Sequence, residues 1–170
     1  MKKKEFVKVV FLGESKVGKT SIFNRYSLNK FDPETPSTFT AEFFKKAIFL
    51  PDNSSLTFDM WDNPGLERYR DIPQVFYKGA KVFILVYDPT NNYSFQELKE
   101  YWYNEIKDIN AIIVVVANKS DLFMKTIRDE EGKRYAESIG AIFASVSAKD
   151  NIGISQLFQK IGMVIKKVNK

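Results

Sequence analysis

Residues 13–20 have the types and spacing of a phosphate-binding loop. The run reads Gly-Glu-Ser-Lys-Val-Gly-Lys-Thr, which matches the pattern G-x-x-x-x-G-K-[ST]. Its glycines let consecutive backbone N–H groups approach and surround one anion. The ammonium group of Lys19 can contact β- and γ-phosphates, and the hydroxyl of Thr20 can ligate Mg²⁺. These residues predict a site for a nucleotide polyphosphate with Mg²⁺, and the alternative is a glycine turn that precedes an amphipathic helix.

Other residues of the loop are predicted to reach the same nucleotide. In a strand–loop–helix unit the backbone N–H groups converge on one anion, and the helix N-terminus favours negative charge. Lys16 can bring a second ammonium group to phosphate, and a solvated side chain is the open alternative. In addition to Lys19 and Thr20, the predicted contacts are Glu14, Ser15, Lys16, Val17, Gly18 and Ser21.

A carboxylate and a second hydroxyl are predicted to complete the metal site. Asp62 follows an apolar strand, at the edge where ligands bind in open α/β sheets, and it can hold Mg²⁺ through water. Thr38 lies in the proline-containing loop 29–41, and loops of this length are usually functional or mobile. In the same loop, the flat ring of Phe31 can stack on a ligand. The alternatives are a strand-end cap for Asp62 and a solvated loop side chain for Thr38.

The tetrapeptide Asn118-Lys119-Ser120-Asp121 is predicted to select the base. The carboxylate of Asp121 can accept hydrogen bonds from the ring N–H and the exocyclic amine of guanine. Adenine offers no such donor pair, so the wrong base would leave a charge unpaired. Asn118 can brace the neighbouring loops, and the stem of Lys119 can lie on the base plane.

Two further segments are predicted to finish this site. Ser147-Ala148-Lys149 follows another apolar strand, and the Ala148 amide can donate to the guanine carbonyl. Gly65 leaves its N–H group free to reach a terminal phosphate. The predicted nucleotide contacts therefore come from five separate parts of the chain.

Strand-like and helix-like segments alternate along the chain, which predicts an α/β fold with a mostly parallel sheet. The short, continuous apolar runs suit strands that are buried on both faces. Residues 51–54, Pro-Asp-Asn-Ser, form a hairpin turn signal, so the strands beside them are predicted to be antiparallel. Asp129 is predicted to cap the third helix, and Gly140 to lie just beyond its end. The predicted strands are 6–12, 42–50, 55–61, 82–87, 111–117 and 141–146, and the predicted helices are 19–28, 92–108, 129–138 and 154–167.

Composition excludes several kinds of chemistry. The 170 residues suit one domain, 1–170, and they include neither cysteine nor histidine. Disulfides, cysteine–zinc sites, thiol nucleophiles and the commonest base at neutral pH are therefore excluded. Part of the net charge of +5 lies at the two ends, where solvation or contact with anionic lipid are the alternatives. No basic stripe interleaved with aromatic residues argues for nucleic acid. With neither a membrane-length apolar run nor a secretory signal, a cytoplasmic location is expected, including the cytosolic face of endomembranes.

In combination, these motifs resemble a Ras-superfamily small GTPase and, within that superfamily, the Rab branch. The Rab-like features are the segments 67–72 and 76–80 and the aromatic trio Phe43, Trp61 and Tyr77. The resemblance implies a P-loop NTPase three-layer fold, with a six-stranded, mostly parallel sheet, one antiparallel hairpin strand and helices on both faces. It also implies a GTP/GDP switch that hydrolyses GTP with Mg²⁺ and regulates vesicle trafficking.

The resemblance also implies two mobile loops, at about 31–43 and 62–78. The γ-phosphate and Mg²⁺ would order these loops, and hydrolysis would release them. Through these loops the protein would bind effectors, an exchange factor and a GTPase-activating protein. No feature of the sequence requires an oligomer, so a monomer is expected. Phosphoryl transfer in this family depends on positioning and charge neutralisation, so the absence of histidine is no obstacle.

Position 66 departs from the family pattern. The resemblance places Lys19, Thr38, Gly65 and Leu66 in the catalytic set, but Leu66 stands where the family usually has glutamine. That glutamine orients the attacking water, as it does in Ras. Leucine has neither donor nor acceptor, so slow intrinsic hydrolysis is predicted. The alternatives are a GTP-locked pseudo-GTPase that serves as a binding platform and an ATP-dependent P-loop enzyme, which would have no use for Asp121.

Rab proteins normally end in a flexible tail with prenylated cysteine, and this sequence contains no cysteine. Either such a tail lies outside the sequence, or the protein reaches membranes by other means. Basic ends alone give only weak anchoring.

Overall fold

Six strands form one sheet in the part of the chain that the computed structural model describes, which is residues 6–38, 40–63 and 74–169. The spatial order is β2-β3-β1-β4-β5-β6. All neighbouring pairs are parallel except β2 and β3, so the predicted mostly parallel α/β fold is confirmed. The strands are β1 (Phe6–Leu12), β2 (Glu42–Phe49), β3 (Ser55–Asp62), β4 (Ala80–Tyr87), β5 (Ile112–Ala117) and β6 (Ile142–Ser145).

The antiparallel pair is the predicted hairpin. Asp59 lies opposite Lys45, and the register continues to Phe49 opposite Ser55. The turn closes through a hydrogen bond from the Leu50 N–H to the Ser54 carbonyl at 2.9 Å. β3 alternates between buried and more exposed residues, β2 is mostly exposed apart from the buried Ile48, and β4 is buried along almost its whole length. Hairpin strands and central parallel strands therefore show the two burial patterns expected of them.

Helices cover both faces of the sheet. α1 (Lys19–Leu28) and α5 (Ile154–Val168) pack on one face, where Phe11, Phe23 and Phe158 share a buried cluster. The opposite face carries a second buried cluster, to which Leu85 of β4 and Ala136 of α4 (Asp129–Ser138) belong. Strand residues that alternate in the sequence therefore serve two cores, which gives the three layers.

The second predicted helix, 92–108, is wrong as one continuous α-helix. The chain forms α2 (Asn92–Glu97), a π-helical turn (Leu98–Trp102) and α3 (Tyr103–Ile106). The side chain of Asn91 caps α2 by accepting hydrogen bonds from the N–H groups of Tyr93 and Ser94. A π turn holds more residues than an α turn, so it changes which side chains face the sheet.

The predicted cap at Asp129 is also wrong. The N-cap of α4 is Arg128, which makes no side-chain cap, and Asp129 is the first helical residue. Asp129, Glu130 and Glu131 instead place three carboxylates in the first turn, where the helix dipole favours negative charge. Gly140 lies beyond the helix end with φ +67°, as predicted.

None of the helices within the described ranges has the length and hydropathy required to cross a membrane.

Candidate nucleotide-binding site

Most of the predicted site residues line one cleft of about 580 Å³ at the carboxyl ends of the parallel strands, and the buried Asp62 contacts this cleft through Thr20. Ligands of open α/β sheets bind at this edge. The cleft joins the phosphate-binding loop, the segment that contains Phe31 and Thr38, and the loops that follow β5 and β6. The predicted residues that line it are Ser15, Lys16, Gly18, Lys19, Thr20, Ser21, Phe31, Thr38, Asn118, Lys119, Asp121, Ala148 and Lys149.

Two glycines give the phosphate-binding loop its shape between β1 and α1. Gly13 has φ +143° and Gly18 has φ +97°, backbone angles that side chains disfavour. A Cβ atom at Gly13 would lie 2.3 Å from the Val86 carbonyl oxygen, and one at Gly18 would lie 2.2 Å from Asn118 Nδ2. Each glycine therefore allows a close approach as well as an unusual turn.

Lys19 is held inside this loop. Its Nζ atom donates to the carbonyl oxygens of Gly13 at 2.9 Å and Glu14 at 2.7 Å, and the residue is only 6% exposed. Burial lowers the pKa of Lys19 to about 8, while the charges of Asp62 and Glu14 act to raise it. The ammonium group is thus preorganised by the loop's own carbonyl groups, next to the backbone that would surround an anion.

Thr20, Thr38 and Asp62 form the predicted cluster of oxygens. Thr20 Oγ1 lies 2.5 Å from Thr38 Oγ1 and donates to Asp62 Oδ2 at 2.5 Å. Burial raises the pKa of Asp62 to about 6, although the Thr20 hydrogen bond and the charge of Lys19 act in the opposite direction. Oδ1 of Asp62 is buried without a hydrogen-bond partner among the residues that the structure describes.

This cluster fits Mg²⁺ by its chemistry. Hydroxyl and carboxylate oxygens are ligands that Mg²⁺ accepts, and it uses few protein carboxylates. Among the described residues, no group of three or more His, Cys, Asp or Glu side chains offers another metal site. An unpaired, buried carboxylate oxygen beside two hydroxyl groups is the feature that supports a cation there.

The loop after β5 braces the phosphate-binding loop. Asn118 Nδ2 donates to the Val17 carbonyl at 3.0 Å, and Asn118 Oδ1 accepts from the Ala148 N–H at 3.2 Å. Lys119 Nζ donates to the Lys16 carbonyl at 2.8 Å. The loops after β5 and β6 are therefore joined to the phosphate-binding loop through protein hydrogen bonds, and Asn118 contacts both neighbouring loops.

Asp88, at the end of β4, is a residue that the sequence interpretation missed. Its Oδ2 atom pairs with Lys119 Nζ at 2.6 Å, and its Oδ1 atom accepts from the Thr90 N–H at 2.8 Å. Burial raises the pKa of Asp88, but the hydrogen bonds from Lys119 and Thr90 outweigh it, so the pKa lies below its ordinary value. A carboxylate at a strand end was the available signal, the same one that identified Asp62.

The loop after β6 is fixed from two directions. Ser147 Oγ donates to Asp121 Oδ1 at 2.6 Å, which orients the carboxylate predicted to read the base. Arg25 of α1 donates to the carbonyl groups of Ala148 at 2.8 Å and Lys149 at 3.0 Å. Arg25 was also missed, because a cation in a helix carries no sequence signal for distant carbonyl groups.

Three predicted contacts have side chains that do not line the cleft. Glu14 is buried, and its Oε1 atom accepts from Trp102 Nε1 at 2.9 Å. Val17 belongs to the buried cluster beneath α1, and Ser147 is buried beside Asp121. The side chains of these three residues therefore do not face the cleft, and their backbone groups are what they can bring to a nucleotide. Gly65 and Leu66 lie outside the described residues.

Three aromatic side chains form an aromatic surface on β2, β3 and the 3₁₀ turn Gln74–Phe76. The rings of Phe43 and Trp61 are 5.5 Å apart, and those of Trp61 and Phe76 are 5.8 Å apart. Phe76, and not the predicted Tyr77, is therefore the third member of the trio. Tyr77 is buried against Phe83, with ring centroids 5.7 Å apart.

The site combines a strand–glycine loop–helix unit, a lysine held by loop carbonyl groups, and a cluster of hydroxyl and carboxylate oxygens. This combination defines a P-loop nucleotide-binding protein. The Ras family model matches residues 8–167, and the chain belongs to the Ras family.

Curated relatives agree with that family. The chain is 38% identical over 162 residues to "Ras-related protein Rab-3A" of Homo sapiens, which covers 93% of this chain and 73% of the relative. It is 36% identical over 168 residues to "Ras-related protein Rab-3D" of Homo sapiens, with coverage of 96% and 76%. "Ras-related protein RGP2" of Oryza sativa subsp. japonica is 35% identical over 158 residues, with coverage of 91% and 72%.

Ras-family proteins bind guanine nucleotides, generally with Mg²⁺, and hydrolyse GTP. The chain is thus a Rab-like, GTP-binding small GTPase.

Proposed function

We propose that this protein is a GTP/GDP switch that regulates vesicle trafficking through effectors, with slow intrinsic GTP hydrolysis. The observation that carries the proposal is the cleft itself, which joins Lys19 and Thr20 at one end to Asp121 at the other. In this proposal the whole chain, 1–170, forms one G domain and acts as a monomer, which is cytoplasmic and reaches the cytosolic face of endomembranes.

Lys19 and the oxygen cluster are the proposed phosphate and metal groups. Lys19 would exchange the carbonyl groups of Gly13 and Glu14 for phosphate oxygens, because a charged acceptor forms the stronger hydrogen bond. Thr20, Thr38 and, through water, Asp62 would hold Mg²⁺. When bound, Mg²⁺ neutralises charge that develops on the phosphate oxygens. The backbone N–H groups of residues 13–20 and of Gly65 would bind the remaining oxygens.

Asp121 is the proposed guanine reader. Its Oδ1 atom already accepts from Ser147, which fixes the carboxylate plane without using all of its acceptor capacity. The Ala148 N–H would donate to the guanine carbonyl, and the Phe31 ring and the Lys119 stem would lie on the faces of the base. Lys119 is held by Asp88 and Lys16 at its ammonium end, so its stem is restrained.

Leu66 supports the slow rate. A branched alkyl side chain cannot hydrogen-bond the attacking water, so this part of transition-state positioning is absent from the chain itself. A partner protein that supplied a polar group would restore it. Without such a partner the protein would remain in its GTP state, which is the binding-platform alternative.

The aromatic surface and its neighbours are proposed to bind effectors. Phe43 is 69% exposed, although it packs on Trp61, and it lies on β2 at the edge of the sheet. Exposed apolar rings with polar surroundings mark protein interaction sites. Phe43 and Phe76 belong to the segments 31–43 and 62–78, so nucleotide-dependent changes in these segments would alter effector binding.

Two measurements test the proposal. In a titration of metal-replete protein, GDP and GTP should bind much more tightly than ADP and ATP, and equal affinity would refute guanine selection. In single-turnover hydrolysis, the change Leu66→Gln should accelerate GTP cleavage. If wild type hydrolyses GTP as fast as the Leu66→Gln variant, the assignment of slow hydrolysis to Leu66 is wrong.

A further inference from the structure

A buried hydrogen bond lies beneath the phosphate-binding loop. Trp102 Nε1 donates to Glu14 Oε1 at 2.9 Å, across 88 positions of sequence. Glu14 is 4% exposed and Trp102 is 1% exposed, so this bond forms out of contact with water. A hydrogen bond to a buried carboxylate is stronger than one between neutral groups, so removal of the indole N–H takes a strong contact away from Glu14.

Glu14 is held at two places at once. Its main-chain carbonyl accepts from Lys19 Nζ at 2.7 Å, while its side chain accepts from Trp102. Displacement of the carboxylate would therefore move the carbonyl that orients the lysine. The contact connects the buried helix layer to the ammonium group proposed to bind phosphate.

The π-helical turn determines where Trp102 lies. Trp102 is the last residue of this turn, and Phe95, Leu98 and Ile106 share its buried face. A π turn inserts one residue relative to an α-helix, and such turns are frequent at functional sites. The turn brings the indole N–H, rather than a neighbouring side chain, beneath the loop.

We infer that Glu14 and Trp102 are a positioning pair that holds the phosphate-binding loop in its nucleotide-retaining shape. The inference rests on the proposed function, because it concerns retention of a guanine nucleotide in this cleft. Neither side chain lines the cleft, so the pair acts through the loop and not by touching the nucleotide.

The test is the dissociation rate of tritium-labelled GDP from the full chain in Mg²⁺, chased with excess GDP. Trp102→Phe keeps most of the apolar contact and removes the N–H donor, and Glu14→Leu removes the acceptor. Each variant should release GDP about tenfold faster than wild type, and the double variant should be no faster than the faster single one. Glu14→Gln keeps an acceptor oxygen, so its acceleration should be smaller than that of Glu14→Leu.

Phe95→Leu is the matched control for a loss of core packing. Phe95 is 1% exposed in the same buried cluster, and no hydrogen bond joins it to the loop in the described structure. If Phe95→Leu lowers the thermal midpoint as much as Trp102→Phe does, the GDP dissociation rate of Phe95→Leu should still stay within about twofold of wild type. If Phe95→Leu releases GDP as fast as Trp102→Phe, or if the two single effects multiply in the double variant, the pair has no positioning role.

The remaining outcomes distinguish a failure of the positioning pair from a failure of the proposed function. If Trp102→Phe fails to fold, the ranking of Glu14→Gln against Glu14→Leu decides, and equal rates for these two overturn the inference. Failure of wild type to retain GDP overturns the proposed function and the pair with it. Retention by wild type, with unchanged rates in Trp102→Phe and Glu14→Leu, overturns the pair alone.

Discussion

Replacing Gly18 with alanine is expected to weaken GDP binding by displacing the side chain of Asn118. The new Cβ atom would lie 2.2 Å from Asn118 Nδ2, a distance that non-bonded atoms do not tolerate. Asn118 would have to leave the Val17 carbonyl, to which it donates at 3.0 Å, and the Ala148 N–H, from which it accepts at 3.2 Å. The brace between the phosphate and base subsites would then be lost.

The size of the effect follows from these contacts. Alanine at φ +97° carries a backbone cost of about 1–2 kcal/mol, as does any non-glycine residue in the left-handed region. Loss of two hydrogen bonds adds about 2 kcal/mol, at about 1 kcal/mol for each. If the backbone cost is the same in the free and the nucleotide-bound protein, it does not change GDP affinity. The loss of the two hydrogen bonds, about 2 kcal/mol, then lowers GDP affinity by about 30-fold.

Gly140→Ala is the matched control. Gly140 has φ +67°, and no atom lies within 4 Å of the position its Cβ would take. That variant should lose stability in urea unfolding with saturating Mg·GDP, and it should bind GDP as wild type does. Gly18→Ala should lose both stability and affinity in an equilibrium titration with labelled GDP. Equal GDP affinity for the two variants would show that the Asn118 brace does not contribute to binding.

Three further substitutions test other parts of the site. Asp121→Asn should lower GDP affinity at least about tenfold and admit xanthosine diphosphate, because loss of a charged acceptor costs about 1.5–3 kcal/mol; unchanged affinity in competition binding would remove Asp121 from the site. Thr20→Asn should weaken Mg·GTP more than Mg·GDP in a titration, and an equal loss for both would argue against Thr20 as a metal ligand. Asp88 has a lowered pKa, so its ion pair with Lys119 stabilises the fold above the ordinary carboxyl pKa of about 3.9 and is lost as pH falls below it. The urea midpoints of wild type and Asp88→Asn should therefore differ near neutral pH and converge in acid, and a constant difference would contradict the lowered pKa.

The sheet and the cleft could be predicted because local signals and global packing agree. The apolar run that became β4 has no polar side of its own, so it can only be a strand covered on both faces. The hairpin turn at 51–54 fixed the direction of the single antiparallel pair. The glycine loop, the carboxylate of Asp62 and the base loop each follow a strand, and parallel strands present their carboxyl ends at one edge.

The π turn and the N-cap of α4 could not be predicted, because each depends on a shift of one residue that tertiary contacts determine. The apolar spacing from Leu98 to Trp102 suits an α-helix, and no local pattern marks the π turn that buries both side chains in the second core. Asp129 is one position too late to be a cap, because the N–H groups of Thr126 and Ile127 both donate to the Pro89 carbonyl and hold the chain before the helix begins.

Neighbouring residues of like type are equally hard to separate. Phe76 ends a 3₁₀ turn that brings its ring edge-on to Trp61, while the next residue, Tyr77, lies in the core. Glu14 looked like a nucleotide contact because every residue of the glycine loop is near phosphate. Its long side chain reaches the buried Trp102 instead, a partner 88 positions away that no local pattern reveals.

The two tryptophans of this chain lie in two different functional regions of the molecule. Trp61 lies between Phe43 and Phe76 on the aromatic surface, and Trp102 lies below the phosphate-binding loop with its N–H on a carboxylate. Indole emission depends on polarity and on nearby quenching groups, so the unlabelled protein carries one optical reporter for its outer face and one for its interior. Replacing either indole with phenylalanine leaves a single tryptophan, and the timing of an event at the surface can then be compared with its timing beneath the loop.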